Sequence, residues 1–222
     1  MSNKEKRLES TFVVITGAVG NLGKVFSESV IRNGGKVFVT DKNSEMVEEF
    51  VNELNLDYPG HAYGAALDIT SDESLQNCII EIKKIGIIPN ALINNALPFN
   101  NSYGSKLEDI TLENFNENIS MHVGGYFNVT NQMIKYFFGS IDASIINISS
   151  VYGFKAPDFN IYKGESFTMP LEYAISKSSI LQLTNYFSSY YKDKTLRFNS
   201  ISPGGISRDH SENFIKNYKN KC

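Results

Sequence analysis

The chain has 222 residues, of which 41% are hydrophobic and 20% charged, with a formal net charge of −3. That length and apolar fraction suffice for one domain with a substantial core, and the mixed, slightly acidic charge without a basic stripe argues against nucleic acid as a partner. Two distant cysteines, Cys78 and Cys222, form neither a metal spacing nor a disulfide framework, and no apolar run approaches the ~20 residues that span a bilayer, so the expectation is a cytoplasmic protein without metal or membrane partner.

The elements read off in order. Residues 11–16 (TFVVIT) form a short buried strand, 17–23 a glycine turn, and 22–33 a helix with Leu22, Phe26 and Val30 on one face. A second strand follows at 36–40 (KVFVT). Ser44 is the expected cap of a helix over 44–54, where Met46, Val47, Phe50, Val51 and Leu54 recur at helical spacing. A strand of weaker propensity spans 62–67, and a helix spans 71–85 with Leu75, Cys78, Ile79 and Ile82 inward. The fourth strand is 91–94 (ALIN). A long helix runs over 115–138, with an expected break at Gly124 and Gly125. The fifth strand is 143–148 (ASIINI), the next helix 173–191, the sixth strand 196–200 (LRFNS), and the last short helix 212–218. Short apolar strands alternating with helices predict an α/β protein: a three-layer αβα Rossmann fold with a doubly wound parallel sheet, one dinucleotide-binding and catalytic domain over 1–222. The irregular pieces, 98–109 and 153–170, follow strand ends, where ligands of open α/β sheets sit.

The turn reads ITGAVGNLG at 15–23, after a strand and opening a helix. Gly17 permits a tight turn, Gly20 removes a side chain where a pyrophosphate approaches, and Gly23 lets the helix pack close. With Val19, Asn21 and Leu22 they are the expected phosphate cradle, using the free N–H groups of a helix start. Asp41 ends the second strand, where a carboxylate accepts from an adenosine ribose and repels a 2′-phosphate. That favours NAD over NADP, although Lys42 next door weakens the preference. Asp68, with Ile69 beside it, is a candidate acceptor for the adenine amino group; its alternative role is a helix cap.

Tyr173 and Lys177 lie four apart in YAISK, on one helix face and within mutual reach. An ammonium beside a phenol stabilises the phenolate. Ser150, after the fifth strand in NISS, can hold a substrate alcohol or carbonyl. Together they form a proton-transfer device for hydride chemistry, with Tyr173 as acid/base, Lys177 as tuner and ribose anchor, and Ser150 as orienter.

These pieces resemble the short-chain dehydrogenase/reductase family. The matching motifs are TGAVGNLG at 16–23, LD at 67–68, NNA at 94–96, NISS at 147–150, YAISK at 173–177 and PGG at 203–205, all collinear. The resemblance implies an NAD(P)-dependent oxidoreductase acting on a small molecule. It implies that Asn94 steadies the cofactor side of the sheet, that Asn95 and Ala96 line the cofactor, that the catalytic serine is Ser150 rather than Ser149, and that Pro203, Gly204 and Ile206 cover the nicotinamide.

The sequence departs from that pattern in three places. The G-x-x-G-x-x-G turn is more usual in the extended, sugar-nucleotide branch. His122 aligns with the asparagine of the family's proton relay, with Asn118 one turn earlier as a weaker substitute. The family's usual last helix and strand have no counterpart before Cys222; if 222 residues is the natural length, the expectation is a sheet edge or an adjoining face left uncovered, which bears on the usual homo-oligomer.

The segments 122–130, 148–178 and 198–206 resemble one subgroup, the flagellin-modification oxidoreductases associated with nonulosonic (legionaminic-type) acid and nucleotide-sugar synthesis. Ser150 and Tyr173 are 23 apart, wider than usual, so 153–170 reads as an inserted active-site loop. The resemblance implies an amino-sugar or nucleotide-sugar substrate with a secondary alcohol or ketone at the reacting carbon. Tyr103, Tyr152, Phe154, Phe159, Tyr162, Phe167 and Glu165 lie on or beside the irregular segments, as substrate contacts or as loop anchors. Arg208 is a candidate for a substrate phosphate or carboxylate. The alternatives are a non-redox dehydratase or epimerase using bound NAD, and an NAD-binding assembly protein without turnover.

Overall fold

The computed structural model describes residues 7–139, 141–206 and 210–221. Six strands, β1 (Phe12–Thr16), β2 (Lys36–Asp41), β3 (Ala62–Ala66), β4 (Ala91–Asn94), β5 (Ala143–Ile148) and β6 (Leu196–Ile201), form one sheet in the order β3-β2-β1-β4-β5-β6. Every pairing is parallel. The helices are α1 (Asn21–Arg32), α2 (Ser44–Asp57), α3 (Asp72–Lys84), α4 (Leu112–Ile119), α5 (Gly125–Met133), α6 (Leu171–Tyr190) and α7 (Glu212–Lys219). This is the doubly wound Rossmann arrangement expected from the sequence.

The strands are continuous apolar runs because both faces are covered. In β1, Phe12 and Val14 point into a core shared with α3, α5 and α6, while Val13 and Ile15 point into a second core beneath α1 and α2. Leu92 and Ile145, both fully buried, extend the first core. A polar chain crosses it. Asn94 Nδ2 donates to Thr130 Oγ1 (2.9 Å) and Asn147 Oδ1 (2.8 Å), and Asn147 Nδ2 donates to Thr184 Oγ1 (2.9 Å). This chain ties β4 to β5 and both to the helices above, which is the steadying role expected of Asn94.

Local chemistry explains the helix starts, with two corrections to the sequence reading. The cap of α2 is Asn43, not Ser44: Asn43 Oδ1 accepts from Met46 N–H, three residues on, and Ser44 becomes the first helical residue. The expected break at Gly124 and Gly125 is absent. The backbone passes through one wide turn (Ser120–Gly124) and continues as helix. Gly125 serves packing instead, since a Cβ there would lie 2.6 Å from Ile69 Cδ1.

A shallow apolar groove lined by Phe26, Val30, Ile93, Ile146, Ile148 and Ile201 lies on the α1 side of β4–β6. Among the described residues no helix is long and apolar enough to cross a membrane.

Helix and sheet approach tightly at Gly64 in β3, where a Cβ would meet Val39 O at 2.7 Å and the Val47 and Val51 methyls at 2.8 and 2.9 Å. Gly64→Ala is expected to destabilise the fold by about 1–3 kcal/mol through overpacking. Urea unfolding, followed by circular dichroism, measures the loss as a lowered midpoint.

Candidate active site

The parallel sheet places the carboxyl ends of all its strands on one rim, and the expected site residues gather there. At the end of β1, Gly17 adopts φ 63°, a conformation that favours glycine. Its neighbour across the crevice is the 95–96 backbone, with Ala96 Cα 2.7 Å from where a Cβ of residue 17 would lie. Asn95 locks this approach by donating to Thr16 O (3.1 Å) and Gly17 O (2.9 Å). Thr16 Oγ1 in turn accepts from the Asn95 and Ala96 N–H groups, at 3.0 and 3.1 Å. Gly20 is exposed and starts α1 without a side-chain cap. Gly23 is buried under the turn, where a Cβ would lie 2.5 Å from Ala18 Cα. Val19 and Leu22 turn their side chains into the α1-side core, so only their backbones face the turn.

Beyond the turn lies a cleft of about 260 Å³ lined by Gly17, Asp41, Lys42, Leu67, Asp68, Ile69, Ala96, Leu97, Pro98, Phe99 and Met121. The donor set fits a dinucleotide: unsubstituted backbone at the phosphate turn, a carboxylate at the end of β2, and apolar walls for an adenine. Lys42 does not project freely, because it pairs with Asp68 Oδ2 at 2.9 Å. Burial works to raise the Asp68 carboxyl, but hydrogen bonds from Thr70 and Lys42 outweigh it and hold the group below its ordinary value. Asp68 is not the cap of α3. That role belongs to Ser71, which accepts from Ser74 N–H.

The second half of the rim carries Ser150, Tyr173, Lys177 and His122. Lys177 is 3% exposed. Its Nζ donates to Ile148 O (2.7 Å) and lies 3.3 Å from His122 Nε2 and 5.5 Å from the centre of the Tyr173 ring. Burial depresses the ammonium to about 7. His122 is held neutral, first by burial and then by the Lys177 charge. With Lys177 donating, His122 accepts at Nε2 and carries its proton on Nδ1.

The two serines divide the work. Ser149 Oγ donates to Lys177 O at 2.7 Å and fixes α6 against β5. Ser150 Oγ accepts from Tyr152 N–H at 3.2 Å, a bond that leaves its own proton for another acceptor.

Other expectations are redirected. Asn118 is no relay substitute, because it pins the 98–105 loop: Oδ1 accepts from Asn100 N–H, and Nδ2 donates to Asn100 Oδ1 and Asn114 O. Glu165 does not face a substrate, since its Oε1 accepts from Ser211 Oγ (2.7 Å) and Asn213 Nδ2 (2.8 Å). Arg208 lies outside the described residues. Tyr152 stays at the rim, its hydroxyl 3.5 Å from that of Tyr162. The 203–206 segment is anchored at both ends: Pro203 O accepts from Val151 N–H (3.0 Å), and Gly205 N–H donates to Tyr218 Oη (2.7 Å).

Sequence reasoning missed several members. Leu97, Pro98, Phe99 and Met121 line the cleft. The position of 97–99, directly after β4, was the available signal. Glu172, beside Tyr173, is 1% exposed, and neither carboxylate oxygen has a hydrogen-bond partner. Its place in the first turn of α6 puts it in the favourable field of the helix start. Among the described residues no cluster of three or more His, Cys, Asp or Glu is placed to hold a metal.

A family model for short chain dehydrogenases matches residues 11–219. The chain is 28% identical over 218 residues to post-translational flagellin modification protein A of Campylobacter coli, covering 97% of this chain and 84% of that one. It is 27% identical over 207 residues to a 3-oxoacyl-acyl-carrier-protein reductase of Thermotoga maritima, covering 93% and 78%. Among solved structures, a short chain dehydrogenase from Leptospira borgpetersenii with bound NAD+ superposes with a TM-score of 0.83 at 27% identity, covering 100% of this chain and 81% of that one.

The buried lysine has a consequence for stability. In an unfolded chain a lysine keeps its proton to about pH 10.4, whereas in the fold Lys177 releases it near 7. Between those values the unfolded state binds more protons, so this group makes stability rise with pH and penalises the fold fully at lower pH. Lys177→Met is therefore expected to exceed the parent by roughly 1–4 kcal/mol below neutrality, with the gap closing as pH rises. Urea unfolding of both proteins across that range measures it.

Proposed function

The chain belongs to the short chain dehydrogenase family, and from that premise we propose that it is an NAD-dependent oxidoreductase that interconverts a secondary alcohol and a ketone on an amino sugar or nucleotide sugar. The observation that supports the catalytic reading is buried Lys177, whose Nζ lies 5.5 Å from the centre of the Tyr173 ring and is held by Ile148 O at the end of β5, two residues before Ser150. The sugar reading rests on the flagellin-modification relative and on the long aromatic loop over 153–170. That loop is proposed to cover the mouth of a single catalytic domain.

The cofactor would lie with its pyrophosphate at Gly17, Gly20 and the α1 N-terminus, its adenosine between Asp41, Asp68 and Ile69, and its nicotinamide beneath Pro203, Gly204 and Ile206. The nicotinamide, when bound, supplies or accepts hydride at C4. The rest of the reaction falls to side chains. Ser150 donates its free proton to the substrate oxygen and fixes the reacting carbon. Tyr173 takes the hydroxyl proton in oxidation and returns it in reduction. Lys177 stabilises the phenolate electrostatically, and Ile148 O holds its Nζ in place. His122, held neutral, accepts a hydrogen bond from Lys177 where the family pattern has an asparagine, and so helps to orient the amine. Because Lys177 exchanges its proton near neutrality, the relay can reset without a strong external base.

The assignment of NAD rather than NADP rests on Asp41 at the ribose position. Lys42, which lines the same cleft, has its charge partly met by Asp68.

Tyr173→Phe is expected to abolish turnover while NAD affinity stays within a few-fold, because the ring packing survives and only the proton donor is lost. Turnover assays against a panel of nucleotide and amino sugars, following both NADH and product mass, test this; retained activity sinks the assignment. Asp41→Ala is expected to weaken NAD and narrow its advantage over NADP. Equilibrium titration with both dinucleotides decides it, and a parent that already prefers NADP and is indifferent to the substitution refutes the cofactor reading.

A further inference from the structure

The inserted loop and the last helix form one clasped unit. Asn213 Nδ2, in α7, donates to Lys163 O (3.2 Å) and to Glu165 Oε1 (2.8 Å). Asn217 Nδ2 donates to Ile161 O (3.4 Å). The Tyr162 ring packs on Phe214 at 5.6 Å between centroids, tilted by 54°. The short helical turn Phe159–Tyr162 is thereby held from its far side, and Tyr162, 8% exposed, is fixed with its hydroxyl 3.5 Å from that of Tyr152. Tyr152 is itself tied to the reaction centre, because its N–H donates to Ser150 Oγ.

We propose that Tyr162 is a specificity-determining residue, whose hydroxyl joins that of Tyr152 to recognise a second hydroxyl on a polyol or sugar ring, next to the carbon held at Ser150 and Tyr173. This rests on the oxidoreductase reading of the site. A separation of 3.5 Å is the outer limit of a hydrogen bond, so the two phenols satisfy one another poorly. A third hydroxyl can accept from one and donate to the other, replacing one weak bond with two good ones. Burial raises the Tyr162 phenol, followed by the hydrogen bond and charge of Tyr152 and the charges of Tyr218 and Tyr173.

The acidic side chains of the loop do not compete for that role. Asp158 pairs with Lys221 at 3.0 Å and Glu165 binds the start of α7. Asp158 and Glu165 are thereby engaged away from the two phenols, which offer a hydroxyl its hydrogen-bond partners. Such a pair discriminates strongly, because an analogue lacking the hydroxyl leaves buried polar groups poorly paired.

The test uses two probe alcohols, cis-1,2-cyclohexanediol and cyclohexanol, titrated into the protein saturated with NADH so that no turnover occurs. Ligand-observed NMR reads the two Kd values. The parent is expected to bind the diol more tightly. Tyr162→Phe, which keeps the ring and its packing, is expected to raise the diol Kd about five- to tenfold, the equivalent of one hydrogen bond, and to leave the cyclohexanol Kd within about twofold. Tyr152→Phe is expected to do the same, with the double variant worse than either alone, since each phenol supplies one of the two bonds to the bound hydroxyl. If Tyr162→Phe fails to fold by circular dichroism, Tyr152→Phe decides. A parent that binds both alcohols alike or neither, or a folded Tyr162→Phe that keeps the preference, overturns the inference. A parent that prefers the diol yet oxidises neither alcohol with NAD+ sustains the inference and counts against the catalytic reading instead.

Discussion

Parallel pairing of all six strands is the constraint from which the site follows. A parallel sheet sends every strand's carboxyl end to the same rim, and each return to the opposite rim requires a crossover. The strand order reverses its direction of growth between β1 and β4. At that switch point the connections diverge to opposite faces and leave a crevice. The crevice is closed at its base by Thr16, Gly17, Asn95 and Ala96, whose backbones approach so closely that residue 17 has no room for a side chain.

The reaction centre is costly to bury, and the surrounding bonds show how the cost is met. Lys177, His122, Ser149, Ser150 and Glu172 are all at most 4% exposed. A buried ammonium without partners would be prohibitive, and burial accordingly pulls Lys177 toward its neutral form. Ile148 O, His122 and the neighbouring Tyr173 and Tyr126 rings together supply the amine with acceptors and π faces. The same environment that costs stability makes the amine responsive near neutral pH. The depth at which α6 carries Lys177 sets both the cost of burying the amine and the pull toward its neutral form.

What the sequence makes legible is local and periodic. Strands β4 and β5 match their expected limits to the residue, because short apolar runs bounded by polar residues admit few alternatives. The glycine turn and the Tyr173–Lys177 pair are legible because their chemistry depends on short spacing. The misreadings involve reach across the chain. Gly125 looks like a break but answers to Ile69, 56 residues away in sequence. Glu165 looks like a pocket acid and is drawn instead to Ser211 and Asn213. No periodicity carries such pairings, which arise only when the parallel sheet brings distant loops to one rim.

The inserted loop must be ordered at a cost of its own. A segment of this length without regular structure would lose much conformational freedom on becoming ordered, at about 1–2 kcal/mol per residue for the backbone. The loop over 153–170 meets that cost through two short helical turns, Val151–Gly153 and Phe159–Tyr162, and through its bonds to α7. Helix α7 also reaches the 203–206 segment, since Tyr218 accepts from Gly205 N–H. One short helix therefore supports both the inserted loop and the 203–206 segment, so any shift of α7 is felt in both at once.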